Sequence, residues 1–369
     1  MSIRAPLFEK DDLAAIAAEF AIGKPSSSSG VVRGRGNRRY VIDTPKGHFE
    51  LRLKPMEEEF DLRREVDLLA FLEKHDFASP RVIADERGRP FLERDGFCLV
   101  LLKVPVGNYL DENDFTLKQV NSAGKMIADL HMLGRGFKRT VENRYGFDRI
   151  FEMYAHVRRR MPSYLRKIVR TLDEETEYLG NYLETKLPKG IIHGTIHKDA
   201  MIFKGESIVC LGDLDAACRG KYVYDLATAV NALCFRDDGY SLERFEALMA
   251  GYESVRTLSL AEWDSFPNEL RFAALRFAVI RLTEFFASER EEAERINVDF
   301  RLFFDRLRVL RREKDGGMEG LLMAMATGYD YRKYQRIKGG DEAEGEGEGE
   351  GELDGELDEE SEDIVDEEE

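Results

Sequence analysis

The chain predicts an α+β protein of two lobes, a small antiparallel β-rich amino-terminal lobe followed by a larger, mostly helical one. Three observations carry this expectation. Two short extended runs, RRYVID at 38–43 and HFELRLK at 48–54, flank Thr44-Pro45-Lys46-Gly47 and read as a hairpin. Residues 97–102 are almost wholly apolar, the mark of a strand buried on both faces. From Leu117 onward, apolar residues recur every three to four positions over long stretches, the helical period. A chain of 369 residues is long enough for two compact lobes.

Taken in order, residues 1–23 hold an amphipathic helix, DDLAAIAAEF at 11–20, which ends at Gly23. The amino-terminal lobe spans 24–106. It opens with KPSSSSGVVRGRG at 24–36, which is either a flexible linker or a loop that folds over an anion. The hairpin follows, then a helix over 62–72 that crosses it, then two further strands within 89–104. The second lobe, 107–312, carries helical periodicity at 120–133, 151–183, 244–252 and 269–286, interrupted by β-like runs at 190–193 and 208–214. A mixed basic linker occupies 313–340. The tail at 341–369 alternates Glu and Gly, has too little apolar surface to offset its chain entropy, and is predicted to be disordered.

The net charge of −17 is a property of that tail. Eighteen of the 72 acidic residues follow Gly340, where there is no Lys or Arg, so residues 1–340 hold 54 acids against 55 cations. A balanced fold argues against nucleic acid as a partner, because such binding needs a basic footprint. The acidic tail leaves a protein partner open. Cys98, Cys210, Cys218 and Cys234 form no C-x-x-C pair and read as thiols. The sequence shows neither a signal-peptide pattern nor about 18 consecutive apolar residues, so a cytoplasmic protein with no membrane contact is expected.

The chemistry concentrates between Ile191 and Ala227. There the chain reads IIHGTIHKDAMIF, then six residues on CLGDLDAAC, then YVYDLA. An apolar strand, His-Gly, a short loop, a second strand and an Asp bordered by apolar residues resembles the catalytic and metal-binding loops of aminoglycoside phosphotransferases. YDLATAVNALCF at 224–235 and LRFAVIRL at 275–282 look more like the homoserine kinase branch. The resemblance covers roughly residues 10–312. It implies a bilobal protein-kinase-like fold, ATP and Mg2+ as cofactors, and phosphoryl transfer to a small-molecule hydroxyl such as that of homoserine.

Family members read His-Gly-Asp or His-Ala-Asp, with Asn five residues after the Asp. This chain reads His193-Gly194-Thr195, with Ala200 in the Asn position. In the family the Asp orients and deprotonates the attacking hydroxyl and the Asn helps hold magnesium. A threonine hydroxyl is no base at neutral pH, and alanine offers no ligand atom. By resemblance Asp213 is the acid that chelates metal, with Asp215 two residues on, and Asp199 can stand in as base or ligand. Asp213 and Asp225 also fit as loop caps.

In the small lobe, Arg52 falls where relatives place a phosphate-binding strand lysine, and Glu65 matches the helix acid that pairs with it. Lys54 shares the face of Arg52 by the two-residue strand period. Gly34 and Gly36 sit where the family has its phosphate-covering loop, although Arg33, Arg35, Arg38 and Arg39 are more basic than that role needs. Arg158, Arg159, Arg160, Arg166, Lys167 and Arg170 form a basic run that is a solvated face or a dock for the acidic tail. His131 reads as a packed helix residue. The expectation is a pseudokinase that binds nucleotide or metabolite; the alternative is an active homoserine-type kinase using Asp213 and Asp199.

Overall fold

A computed structural model describes residues 7–33, 37–111, 113–139, 142–236, 239–287 and 299–312. The linker, the acidic tail, and Gly34 and Gly36 lie outside these residues. Helix α1 (Lys10–Glu19) starts on a capping box between Glu9 and Asp12 and buries Leu13, Ile16 and Ala17. Strands β1 (Ser27–Arg33), β2 (Asn37–Thr44) and β3 (Gly47–Pro55), helix α2 (Glu59–Lys74), and strands β4 (Arg81–Ile83), β5 (Leu92–Arg94) and β6 (Phe97–Val104) complete the small lobe. The sheet runs β1-β2-β3-β6-β4, with β5 also on β6, and every pairing is antiparallel.

Alternation along β3 builds the functional face. Phe49, Leu51 and Leu53 pack with Leu13 and Ile16 of α1, so Glu50, Arg52 and Lys54 must point the other way, where they too are buried. Strand β6 splits in the same manner. Leu99 and Leu101 join the α1 side, while Cys98, Val100 and Leu102 join α2 and the large lobe. That is why its apolar run lacks alternation. Neither reading of 24–36 as linker or loop holds for Ser27 to Arg33, which form a strand along β2. The serines do not prevent this, because the ladder is made by backbone groups, and the Ser27 hydroxyl adds a 2.6 Å bond to Asp43.

The large lobe contains α3 (Leu117–Gly134), α4 (Phe147–Arg158), α5 (Arg166–Tyr182), the short strands β7 (Lys189–Ile192), β8 (Met201–Lys204), β9 (Ser207–Leu211) and β10 (Cys218–Lys221), α6 (Tyr222–Leu233), the two-residue strands β11 (Phe235–Arg236) and β12 (Gly239–Tyr240), α7 (Leu242–Glu253), α8 (Leu260–Ala287) and α9 (Arg301–Arg312). The helical stretch expected at 151–183 is two helices, because Pro162 forces extended backbone between them. Helix α8 starts well before residue 269 and runs through Pro267. Helices α3 and α7 approach closely because Gly124 and Gly251 face backbone; a Cβ would lie 2.0 Å from the Leu248 carbonyl oxygen and 1.9 Å from that of Asn121, respectively. The basic run is partly answered within the lobe, where Arg158 forks onto Asp173 at 2.7 and 2.8 Å and Arg170 meets Glu174 at 3.0 Å. No helix among the described residues is long and apolar enough to cross a membrane.

Candidate active site

Strand β7 delivers the chain into the His193-Gly194-Thr195 loop, and Asp225 in the first turn of α6 holds that loop from below. Its carboxylate accepts the backbone N–H of His193 at 2.6 Å and of Gly194 at 2.7 Å, and His131 Nε2 lies 3.2 Å away. Burial resists ionisation of Asp225, yet the His131 hydrogen bond and the Gly194 amide keep it below the usual carboxylate range. Burial pushes the His131 ring down, toward its neutral form. The neutral ring then donates from Nε2 and accepts the Tyr252 hydroxyl at Nδ1, 2.8 Å away. Asp225 is therefore a loop cap, and His131 is its buried partner rather than mere filling.

His193 ties the two loops together. Its Nε2 donates to the Gly212 carbonyl at 2.7 Å, which leaves Nδ1 to accept the Thr195 amide at 3.3 Å. Arg276 donates to the Gly194 carbonyl and the Tyr224 hydroxyl. Gly194 has φ of +80°, and a Cβ there would lie 2.7 Å from the Ala216 carbonyl oxygen. Gly194→Ala should therefore cost about 1–3 kcal/mol of stability, read as a lowered denaturation midpoint; an unchanged midpoint would show that the loop does not need this geometry.

Thr195 follows, half-buried, at the position where the resemblance implies a carboxylate. Asp199 sits in a single 3-10 turn (Lys198–Ala200), exposed, with no hydrogen bond or ion pair among the described residues. Ala200 is 1% exposed, and its carbonyl accepts the Gly212 amide at 2.7 Å. A buried methyl thus stands where the resemblance implies a metal-binding Asn.

Across the cleft, the polar face of β3 meets the loop after β9. Arg52 donates from Nε to Glu50 at 2.6 Å, from Nη1 to Glu65 at 3.0 Å and from Nη2 to Asp213 at 3.1 Å. The Arg52 and Glu65 pairing expected from the sequence is present. Lys54 shares the face of Arg52, as the strand period predicts, and its Nζ lies 3.1 Å from Asp215. Arg39, directly across from Arg52 on β2, places Nη1 2.7 Å from Asp213 and 3.1 Å from Glu50. Asp213 has left-handed backbone, φ 55° and ψ 42°, which aims its carboxylate at this cluster. His197 Nε2 stands 3.5 Å from the second Asp213 oxygen. On the far side, Arg144 joins the lobes by donating to Asp61 of α2 at 2.6 Å and to the Asp215 carbonyl at 2.9 Å.

Burial would raise the Asp213 pKa, but the Arg39 and Arg52 charges outweigh it and hold the group at about 2, below its ordinary 3.8. Asp215 is lowered too, with Lys54 and Arg52 overcoming burial. A depressed folded pKa means that the unfolded chain binds the proton more tightly. The stabilisation is complete above pH about 4 and disappears as pH falls toward 2, worth roughly 2 kcal/mol for Asp213. Acid unfolding followed by circular dichroism should show this loss, and Asp213→Asn should flatten it; an equally steep acid limb in the variant would contradict the network.

With this geometry established, the relatives can be compared. A sequence profile described as the phosphotransferase enzyme family matches residues 29–258. The chain belongs to the phosphotransferase enzyme family. Homoserine kinase of Caulobacter sp. (strain K31) is 31% identical, the alignment covering 74% of this chain and 86% of that one. Homoserine kinase of Phenylobacterium zucineum (strain HLK1) is 32% identical, covering 75% and 86%. Among solved structures, amicoumacin kinase hAmiN in complex with AMP-PNP and Ca2+ superposes with a TM-score of 0.64 at 14% identity, over 83% of this chain and 94% of that one. Choline kinase from Cryptosporidium parvum Iowa II gives 0.58 at 14%, over 81% and 93%. At such identities the structures establish the protein-kinase-like fold that the sequence predicted.

Whether this family member would hold a divalent cation is decided by its donors. Ala200 offers none, one Asp213 oxygen carries two guanidinium contacts, and the Asp215 side chain is engaged by Lys54. Among the described residues, no three His, Cys, Asp or Glu side chains come together as a metal site. A cation beside Asp213 would also meet like charge, worth roughly 4 kcal/mol per unit pair at 4 Å and an effective dielectric of 20. As arranged, Asp213 and Asp215 do not fit the metal role expected of them. Sequence reasoning also passed over Arg39 as the partner of Asp213; its only signal was an excess of arginine around the second strand.

Proposed function

We propose that this chain is a catalytically impaired phosphotransferase-family protein that binds a phosphate-bearing small molecule or nucleotide between its lobes and does not transfer phosphoryl groups at ordinary rates. One observation carries the reading: no carboxylate stands at the expected base position, and of the acids around it only the exposed Asp199 lacks a partner among the described residues. Thr195 occupies the base position, Asp213 is held by Arg39 and Arg52, Asp215 by Lys54, and Asp225 by the loop amides and His131. Losing a general base costs about 10²–10⁴ in rate, roughly 3–5 kcal/mol of barrier, while the cationic face of the cleft is left intact for binding.

The residues themselves support the binding half. Arg52 is fixed by three acids, Arg39 lies beside it across the ladder, and a guanidinium fork suits phosphate oxygens. Calorimetry with ATP, together with a coupled assay for ADP in the presence of homoserine and Mg2+, tests both halves. Binding without ADP release above the protein-free rate is expected, and steady turnover at rates ordinary for kinases would overturn the proposal.

The second reading, an active homoserine-type kinase, is favoured by the two homoserine kinases that align over most of their length. In it the exposed carboxylate of Asp199, beside Ala200, would take the proton. Loss of turnover in Asp199→Asn would support that reading. Its premise is turnover by the unaltered chain, and that same assay decides it.

A further inference from the structure

The Asp213 carboxylate oxygen bridges two guanidiniums, Arg39 Nη1 at 2.7 Å and Arg52 Nη2 at 3.1 Å. Arg52 is paired at every nitrogen, each of the three having an acid and Nη1 and Nη2 each keeping a second N–H. Arg39 is not: its buried Nε has no hydrogen-bond partner. A donor left so inside a cleft costs free energy unless an acceptor arrives. Cross-strand neighbours sit close enough for like charges to repel, so the Arg39 and Arg52 pair is held together by anions. At present those are Glu50 and Asp213.

We propose that Arg39 takes the place of a divalent cation, so that the cleft binds a polyphosphate anion on its guanidiniums without metal. This rests on reading the cleft as a binding site that does not transfer. Charge supports it. Between Lys24 and Ile42 the chain carries five cations, Lys24, Arg33, Arg35, Arg38 and Arg39, and no acid. Arg38 precedes Arg39 on β2, and Arg33 pairs with Asn37 where β1 meets β2. A polyphosphate needs several positive charges nearby; Arg39 and Arg52 supply two of them from adjacent strands of the sheet, whereas Asp213 and Asp215, the acids expected to recruit an ion, are already ion-paired.

The test is calorimetry of the full chain with ATP and with inorganic tripolyphosphate, in EDTA and again in Mg2+. The proposal expects dissociation constants within about threefold in the two buffers. Arg39→Ala should weaken binding in EDTA by about tenfold or more, and by freeing Asp213 it should make the residual binding tighten when Mg2+ is added. Arg39→Lys keeps the charge without the fork and should retain metal-free binding at reduced affinity. Circular dichroism confirms that each variant is folded, and the wild-type comparison stands without them. Wild-type binding that requires Mg2+, or no binding of either anion in either buffer, would overturn the inference. Mg2+-dependent binding without turnover would remove this inference alone, whereas turnover of homoserine would remove the reading beneath it.

Discussion

Introducing Thr195→Asp together with Ala200→Asn should raise ATP- and Mg2+-dependent phosphorylation of homoserine by about 10²-fold or more over the unaltered chain. The loop that would carry the new carboxylate is already built: Asp225 holds the His193 and Gly194 amides, and the His193 ring accepts the Thr195 amide while donating to the Gly212 carbonyl. Position 195 is half-buried at the cleft, so an Asp there needs no new backbone. Position 200 is tighter, being fully buried, and its Asn must aim out toward Asp213. Adding Arg39→Ala should increase the gain, because it removes a guanidinium from the oxygen that an ion would use. A folded double variant with no more activity than its parent would show that the missing base is not what limits this chain.

Asp225→Ala should destabilise the fold by about 3–5 kcal/mol, the cost of removing one partner from a buried charged cluster. Two backbone N–H groups and His131 would lose their charged acceptor at a site where Asp225 and His131 are both 0% exposed. Asp225→Asn should lose less, because its amide oxygen still accepts one backbone N–H while its NH2 group faces the other. Urea denaturation midpoints in the order wild type, Asn, Ala are expected. Equal midpoints for the three proteins would mean that the loop is held by something other than this carboxylate.

Local pattern made much of this molecule readable. The two-residue period of β3 placed Arg52 and Lys54 on one face, and the structure finds both across from the Asp213 loop. The helix after the hairpin and the apolar strand at 97–102 follow from spacing alone. The strand at Ser27–Arg33 was hidden because its side chains are uninformative and its partner supplies the order. The contact of Arg39 with Asp213 has no local signal, since it joins residues far apart in the chain. His131 looked like filling because a helical period reports burial and says nothing about a hydrogen bond formed with a distant helix.

The most direct test of the account is a single-turnover experiment in which excess wild-type protein is mixed with γ-labelled ATP, Mg2+ and saturating homoserine and quenched over minutes. Because it observes one chemical event, product release and weak cycling cannot disguise the result. The account predicts label transfer at least about 10²-fold slower than the roughly 1–100 s⁻¹ ordinary for kinases, and transfer at that ordinary rate would contradict it.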